Sequence, residues 1–355
     1  MTDESFHDLA RAPKVALPGG PRRWVEDSFR SLAEHFGTAV LRQPVVVPDE
    51  FVPAGYDGSA AAAHAVCVRV CERMGVDPGR VHFSFRLEQV TEAAELLGSA
   101  MLDAYVDPGN GYSRGTPPGD LAAIRTHSNR LGTASFEQVD RIIEAELAAD
   151  SSESFFRLLV TRLGAGEFGA EIVRCLLAAS DPRAPRTANT TAVPGRALGR
   201  WVDLGAKVHG LDPIPDHCAV LLRSDVIADP AKLLAVVSHE LSHELLCRPA
   251  PPWASGPLEE PLTDLCALFH GFGVVLVNAA VDEAVLDDEW VHTSGYLGEH
   301  ALAEALALYR FRQHRLLRDG PLLPDWHQLL DPVPRARFAA HLEELIGGPP
   351  TVLGW

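Results

Sequence analysis

Lysine is nearly missing from this chain. Three lysines stand against 28 arginines in 355 residues, and 48 acidic side chains outnumber 31 basic ones to leave a net charge of -17. Phosphate backbones need a basic surface, so this balance excludes nucleic acid as a partner. Scarce lysine beside abundant Ala, Arg, Gly and Pro is the composition of a high-GC bacterial gene. The opening MTDESFHDLARAPK lacks the apolar run of a secretory signal, which sets the expectation of a soluble cytoplasmic protein. Long hydrophobic runs are lacking too: the most apolar stretch, residues 265–281, carries His270 and two glycines, so it reads as a buried helix and no membrane is expected. Cysteine is sparse and scattered, at 67, 71, 175, 218, 247 and 266, which excludes a disulfide scaffold and predicts reduced thiols. Cys67 and Cys71 lie four apart among apolar neighbours and read as core residues, since no second pair exists to complete a metal site. Repeats, low-complexity tracts, a P-loop and a dinucleotide fingerprint are all absent. Residues 111–115 (GYSRG) match G-x-S-x-G, but they follow DPGN and precede TPP, not the strand and helix that a nucleophile elbow requires.

With 46% hydrophobic and 22% charged residues, the chain has the composition of an ordinary globular protein long enough to bury a large core. Its most informative segment is His239-Glu240-Leu241-Ser242-His243, an H-E-x-x-H pattern. On a helix the two histidines project from one face and can reach a single ion, with Glu240 about 100° around the axis, placed to hold a water on it. Asp229 as N-cap, Pro230 at the first position and an unbroken run over 232–247 predict that helix. Leu234, Val237, Leu241 and Leu245 mark its aliphatic face. A catalytic zinc takes three protein ligands and leaves the fourth position to water. Glu260 is the nearest third candidate, beyond a Pro- and Gly-rich loop at 248–256, with Glu259 as its rival. A second helix is expected over 261–280, and Asp264, one turn after Glu260, can accept a hydrogen bond from the outer nitrogen of a ligating histidine.

H-E-x-x-H followed by E-x-x-x-D resembles the gluzincin metallopeptidases, the thermolysin-like class. The resemblance covers about 26 of the 355 residues, with Glu259 and Thr263 where Asn and Ser commonly stand. It implies His239, His243 and Glu260 as zinc ligands, Glu240 as general base and Asp264 as the partner of a ligand histidine. The stretches PDEFVPAGYDGS, EEPLTDLCALFHGFG and GYLGEHALAEALALY look like those of a wider group of bacterial H-E-x-x-H proteins recognised by pattern and not by activity.

The rest of the chain is organised around this segment. Helices are expected over 22–37, 59–74, 136–149, 152–163 and 168–179, and strands over 39–47, 81–87 and 218–227. In zincin-like folds a strand in the position of 218–227 borders the cleft and can pair with an extended substrate. Candidates for stabilising a developing oxyanion lie downstream, Tyr296 and His300 foremost, with His292 and Tyr309 beside them, while His270 reads as a hydrogen-bonded core histidine. The expected fold is α+β with helices predominating: a mixed N-terminal region over 1–180, a linker or insertion at 181–196, and a zincin-like catalytic region over 197–355. The expected function is zinc-dependent hydrolysis of a peptide or small amide. Two alternatives stay open: a metalloenzyme acting otherwise on a small molecule, and a binding or regulatory protein with a degenerate site.

Overall fold

The computed structural model describes residues 16–85, 198–203, 217–247, 258–280, 296–318 and 320–347. The expected helices between 136 and 179, the 181–196 stretch, the GYSRG segment and His292 lie outside these residues. The chain forms two compact units, one from residues 1–76 together with 227–355, the other from residues 77–226.

The first unit is helical. α1 (Pro21–Phe36) starts on a proline, whose missing N–H is no loss at a first helical position, and buries Trp24, Val25, Phe29, Leu32 and Ala33 at three- and four-residue spacing. A short α2 (Pro48–Phe51) leads to α3 (Ala60–Met74), capped by the Ser59 side chain, which accepts from Ala62 N, and closed by Gly75 in the left-handed conformation. α4 (Pro230–Cys247) is capped as its sequence predicts: Asp229 Oδ1 accepts from Ala231 N at 2.9 Å and Lys232 N at 3.2 Å. α5 (Glu259–Ala267), α6 (Gly273–Ala279), α7 (Gly298–Leu317) and α8 (Pro332–Gly347) complete the unit. α4 packs against α3, α5 and α6, and α7 against α1, α6 and α8. Leu233, Leu234, Val237 and Leu241 of α4 are fully buried, as are Val66 and Val70 of α3. Leu246, and not the expected Leu245, carries the buried face onward to the end of α4.

The strand expected over 218–227 ends at Leu222 and gives way to a 3-10 turn at Val226–Ala228, and two further expected elements differ. The helix over 261–280 is interrupted by a π turn at Leu268–Phe272, where Gly271 takes φ 98°, a conformation only glycine holds without strain. A Cβ at this position would lie 2.7 Å from Arg73 Nη2 and 3.2 Å from Pro44 O, so the guanidinium would have to shift to admit one. The segment 39–47 is a 3-10 turn (Val40–Arg42) followed by extended chain, not a strand. Its backbone is satisfied by side chains in place of a ladder: Gln43 O accepts from Tyr309 Oη at 3.3 Å and Gln313 Nε2 at 2.7 Å, and Pro44 O from Arg73 Nη2. Val46 N donates to Gly271 O at 2.9 Å, so the same extended segment braces the π turn. The apolar stretch Glu259–Ala279 is long and apolar enough to cross a membrane, yet 89% of its most apolar window is buried inside the protein, as the core-helix reading expects.

The described part of the second unit is a three-stranded sheet in the order β1-β3-β2, with β1 Val81–Ser84, β2 Gly199–Asp203 and β3 Cys218–Leu222. β1 runs parallel to β3 with Val81 opposite Cys218, and β2 antiparallel with Gly199 opposite Leu222. All five residues of β3 are buried, as the unbroken apolar run CAVLL requires of a central strand. Both edges of β3 are therefore occupied, and the expectation that an extended substrate adds to this strand is overturned.

Candidate metal centre

α4 and α5 pack together and bring their polar residues to one place. One ligand atom each from His239, His243 and Glu260 fall within 4.8 Å of one another. Glu260 Oε2 lies 3.2 Å from His239 Nε2 and 3.5 Å from His243 Nε2. Around an ion held at about 2.0–2.1 Å, tetrahedral neighbours stand about 3.3–3.4 Å apart, so these two separations are compatible with ligands sharing one ion. Glu260 Oε2 is buried between the two rings without a well-aligned hydrogen bond to either, an arrangement that an ion held by all three would satisfy. The residues fit a divalent metal.

The histidines are held by carboxylates behind them. His239 Nδ1 donates to Asp264 Oδ1 at 2.8 Å. A carboxylate only accepts, so Nδ1 carries a ring proton, and Nε2, which faces Glu260, is the atom left to bind an ion once it gives up its own proton. Glu259, the rival third ligand, lies with Oε1 3.6 Å from His243 Nδ1, on the far side of that ring from Glu260. Asp264 is fully buried, and its second oxygen accepts from the backbone amides of Tyr296 at 2.6 Å and Leu297 at 3.0 Å. Tyr296 in turn stacks on His239, with ring centroids 6.0 Å apart and planes 17° from parallel.

The electrostatics follow from this crowding. Burial pulls the pKa of His239 down, but the hydrogen bonds to Asp264 and Glu260 and the charge of Glu240 outweigh it and hold it well above its ordinary value. His243, against the same pull of burial, is raised to about 9 by Glu259 and Glu260. Burial would raise Glu260, yet its two histidine partners hold it below the usual carboxylate range. The Tyr296 hydroxyl is pushed above its ordinary value, first by burial and then by the charges of Glu260, Asp264 and Glu240.

Glu240 is buried on α4, and its charge reaches both His239 and Tyr296. His300, in the first turn of α7, receives Arg337 Nη2 of α8 at 2.9 Å from its Nδ1. Tyr309 lies in the core with its hydroxyl donating to Gln43 O, away from any role with substrate. His270 is buried in the core as expected, with its ring edge-on to Phe36 at 5.2 Å, but its Nε2 has no hydrogen-bond partner, against the expectation of a hydrogen-bonded histidine. Cys67 and Cys71 are buried and not joined in a disulfide, as expected of core residues. What the sequence could not reveal is the pair of amides at 296 and 297, because every residue type but proline offers one.

Comparison of the chain with protein-family models, with curated proteins and with solved structures finds no match.

Proposed function

We propose that this chain is an intracellular zinc-dependent hydrolase, zincin-like in build, that cleaves a peptide or small amide. The observation that carries the reading is the single buried oxygen Glu260 Oε2 facing the Nε2 atoms of two histidines one helical turn apart. His239, His243 and Glu260 would hold the ion, with Asp264 fixing the tautomer of the first. When bound, such an ion lowers the pKa of a water toward neutrality and polarises a carbonyl. Glu240, next to His239 in sequence and buried in the same cluster, takes the proton of that water on a carboxylate oxygen and delivers it to the leaving nitrogen. The Tyr296 hydroxyl, its pKa raised by burial and by three carboxylates, keeps its proton throughout and serves as donor to the oxygen on which negative charge gathers. Tyr296 supports this role better than His300, because its ring lies against a ligand histidine whereas His300 is engaged by Arg337.

Elemental analysis of wild type beside His243→Ala and Glu240→Gln tests the reading. Near-stoichiometric zinc is expected in wild type and Glu240→Gln, with loss in His243→Ala. Glu240→Gln then serves as an inert, metal-loaded variant for capturing substrate. A wild type that retains no metal after zinc loading and removal of excess would overturn the hydrolase and leave a binding or regulatory protein.

A further inference from the structure

The structure assigns Asp264 a second role, in which the carboxylate that orients His239 also fixes the start of α7 and so couples ion binding at His239 to the placement of Tyr296. This inference rests on the metal reading above. Three elements meet at one buried side chain. Oδ1 accepts from His239 Nδ1 on α4 at 2.8 Å, while Oδ2 accepts from Tyr296 N at 2.6 Å and Leu297 N at 3.0 Å at the head of α7. Both amides stand just before Gly298, the first residue of α7, and a negative group near a helix start also meets the positive end of its dipole. On this side the carboxylate therefore clamps the chain as it enters the helix, from 32 positions earlier in the sequence. Because the two sets of donors use different oxygens, they do not compete. An ion on His239 Nε2 draws electron density from the ring and strengthens the Nδ1–H donor, which firms the seat of the carboxylate that holds the amides. By reciprocity, an ordered α7 start favours the ion. Asp264 is thus a positioning residue for a ligand and for the tyrosine stacked on that ligand.

Asparagine separates the two roles without changing shape. Aspartate offers two acceptors, asparagine one acceptor and one donor. With its oxygen on the amides, its NH2 group faces His239 Nδ1, which moves the ring proton to Nε2 and blocks the ligand atom. With its oxygen on His239, its NH2 group meets the N–H groups of Tyr296 and Leu297 head on.

Site-resolved hydrogen exchange at the 296 and 297 amides, combined with zinc affinity by chelator competition, tests this in wild type, Asp264→Asn and Asp264→Ala. In wild type both amides should be protected and exchange several-fold more slowly once zinc is added. Asp264→Asn, with its helix content intact, should lose amide protection, about 10–100-fold in zinc affinity, or both. Asp264→Ala should lose amide protection even without zinc. An asparagine variant that keeps both properties at wild-type levels overturns the inference, as does zinc that leaves the wild-type amides unchanged. Should the alanine variant fail to fold, the isosteric asparagine variant decides alone. A wild type that takes no zinc defeats the hydrolase reading instead, and zinc-free exchange in wild type against the variants still decides whether Asp264 holds α7.

Discussion

Among single residues, Glu260 and His270 both have their pKa pushed down, the first by its histidine partners and the second by burial, and each makes a distinct prediction. Glu260→Gln removes the negative oxygen that faces both histidines, so zinc retention should fall to the level of His243→Ala although the side chain keeps its size. Dialysis against chelator followed by metal analysis reads this directly. For His270, burial and then the charge of Arg73 push the pKa down from 6.5 to about 4. The unfolded chain binds this proton below about 6.5, the folded protein only below about 4, so between these values the unfolded state holds more protons and stability falls as pH falls. Urea unfolding at pH 7 and pH 4.5 should show a loss of up to about 3 kcal/mol from this group, and His270→Leu should flatten the slope. The side chains of the candidate site were legible because their spacing is covalent: four residues on a helix place His239 with His243 and Glu260 with Asp264 whatever the fold around them. The choice between Glu259 and Glu260 was not, since adjacent residues point about 100° apart and only the packing of α5 on α4 selects one.

Among the elements, the π turn between α5 and α6 is the point where local sequence was least informative. A glycine inside an apolar helical pattern is tolerated in many helices, so nothing before the structure distinguishes Gly271, at φ 98°, from an ordinary interior glycine. The partners lie far off in sequence: Arg73 donates through Nε to His270 O at 3.2 Å and through Nη2 to Pro44 O. Arg73→Met leaves two carbonyls without their donors and should destabilise the protein by about 2–5 kcal/mol. Gly271→Ala should cost about 2–4 kcal/mol, from the positive φ and from a Cβ set against the guanidinium. Because the second contribution disappears when Arg73 is gone, the double variant should be more stable than the two losses added together, which a double-mutant cycle by chemical denaturation measures. The same long-range capture of carbonyls explains why 39–47, rich in valine, forms no strand: β-branched residues fit a sheet only where a neighbouring strand is present to pair with them.

At the level of the whole molecule, the ion would join α4 to α5 directly and reach α7 through Asp264, so its effect on stability should be global within this unit. Free zinc at about 1,000 times its dissociation constant adds about 4 kcal/mol to the folded state, which for a unit of this size is a rise on the order of 10 °C in Tm. Differential scanning fluorimetry with and without chelator should show this rise in wild type and not in His243→Ala. Helix dominance was legible from periodicity and from the cap at Asp229. The membership of the first 76 residues was not, because α1 and α3 carry no mark of the later helices they cover. That discontinuity sets a clock on synthesis. Ribosomes add about 5–20 residues each second, so roughly 8–30 s pass between the emergence of α3 and that of α4 while residues 77–226 are made. For that interval Phe29, Leu32, Val66 and Val70, all without exposure in the finished protein, meet water or a chaperone, and the metal centre cannot begin to form until about two thirds of the chain has left the ribosome.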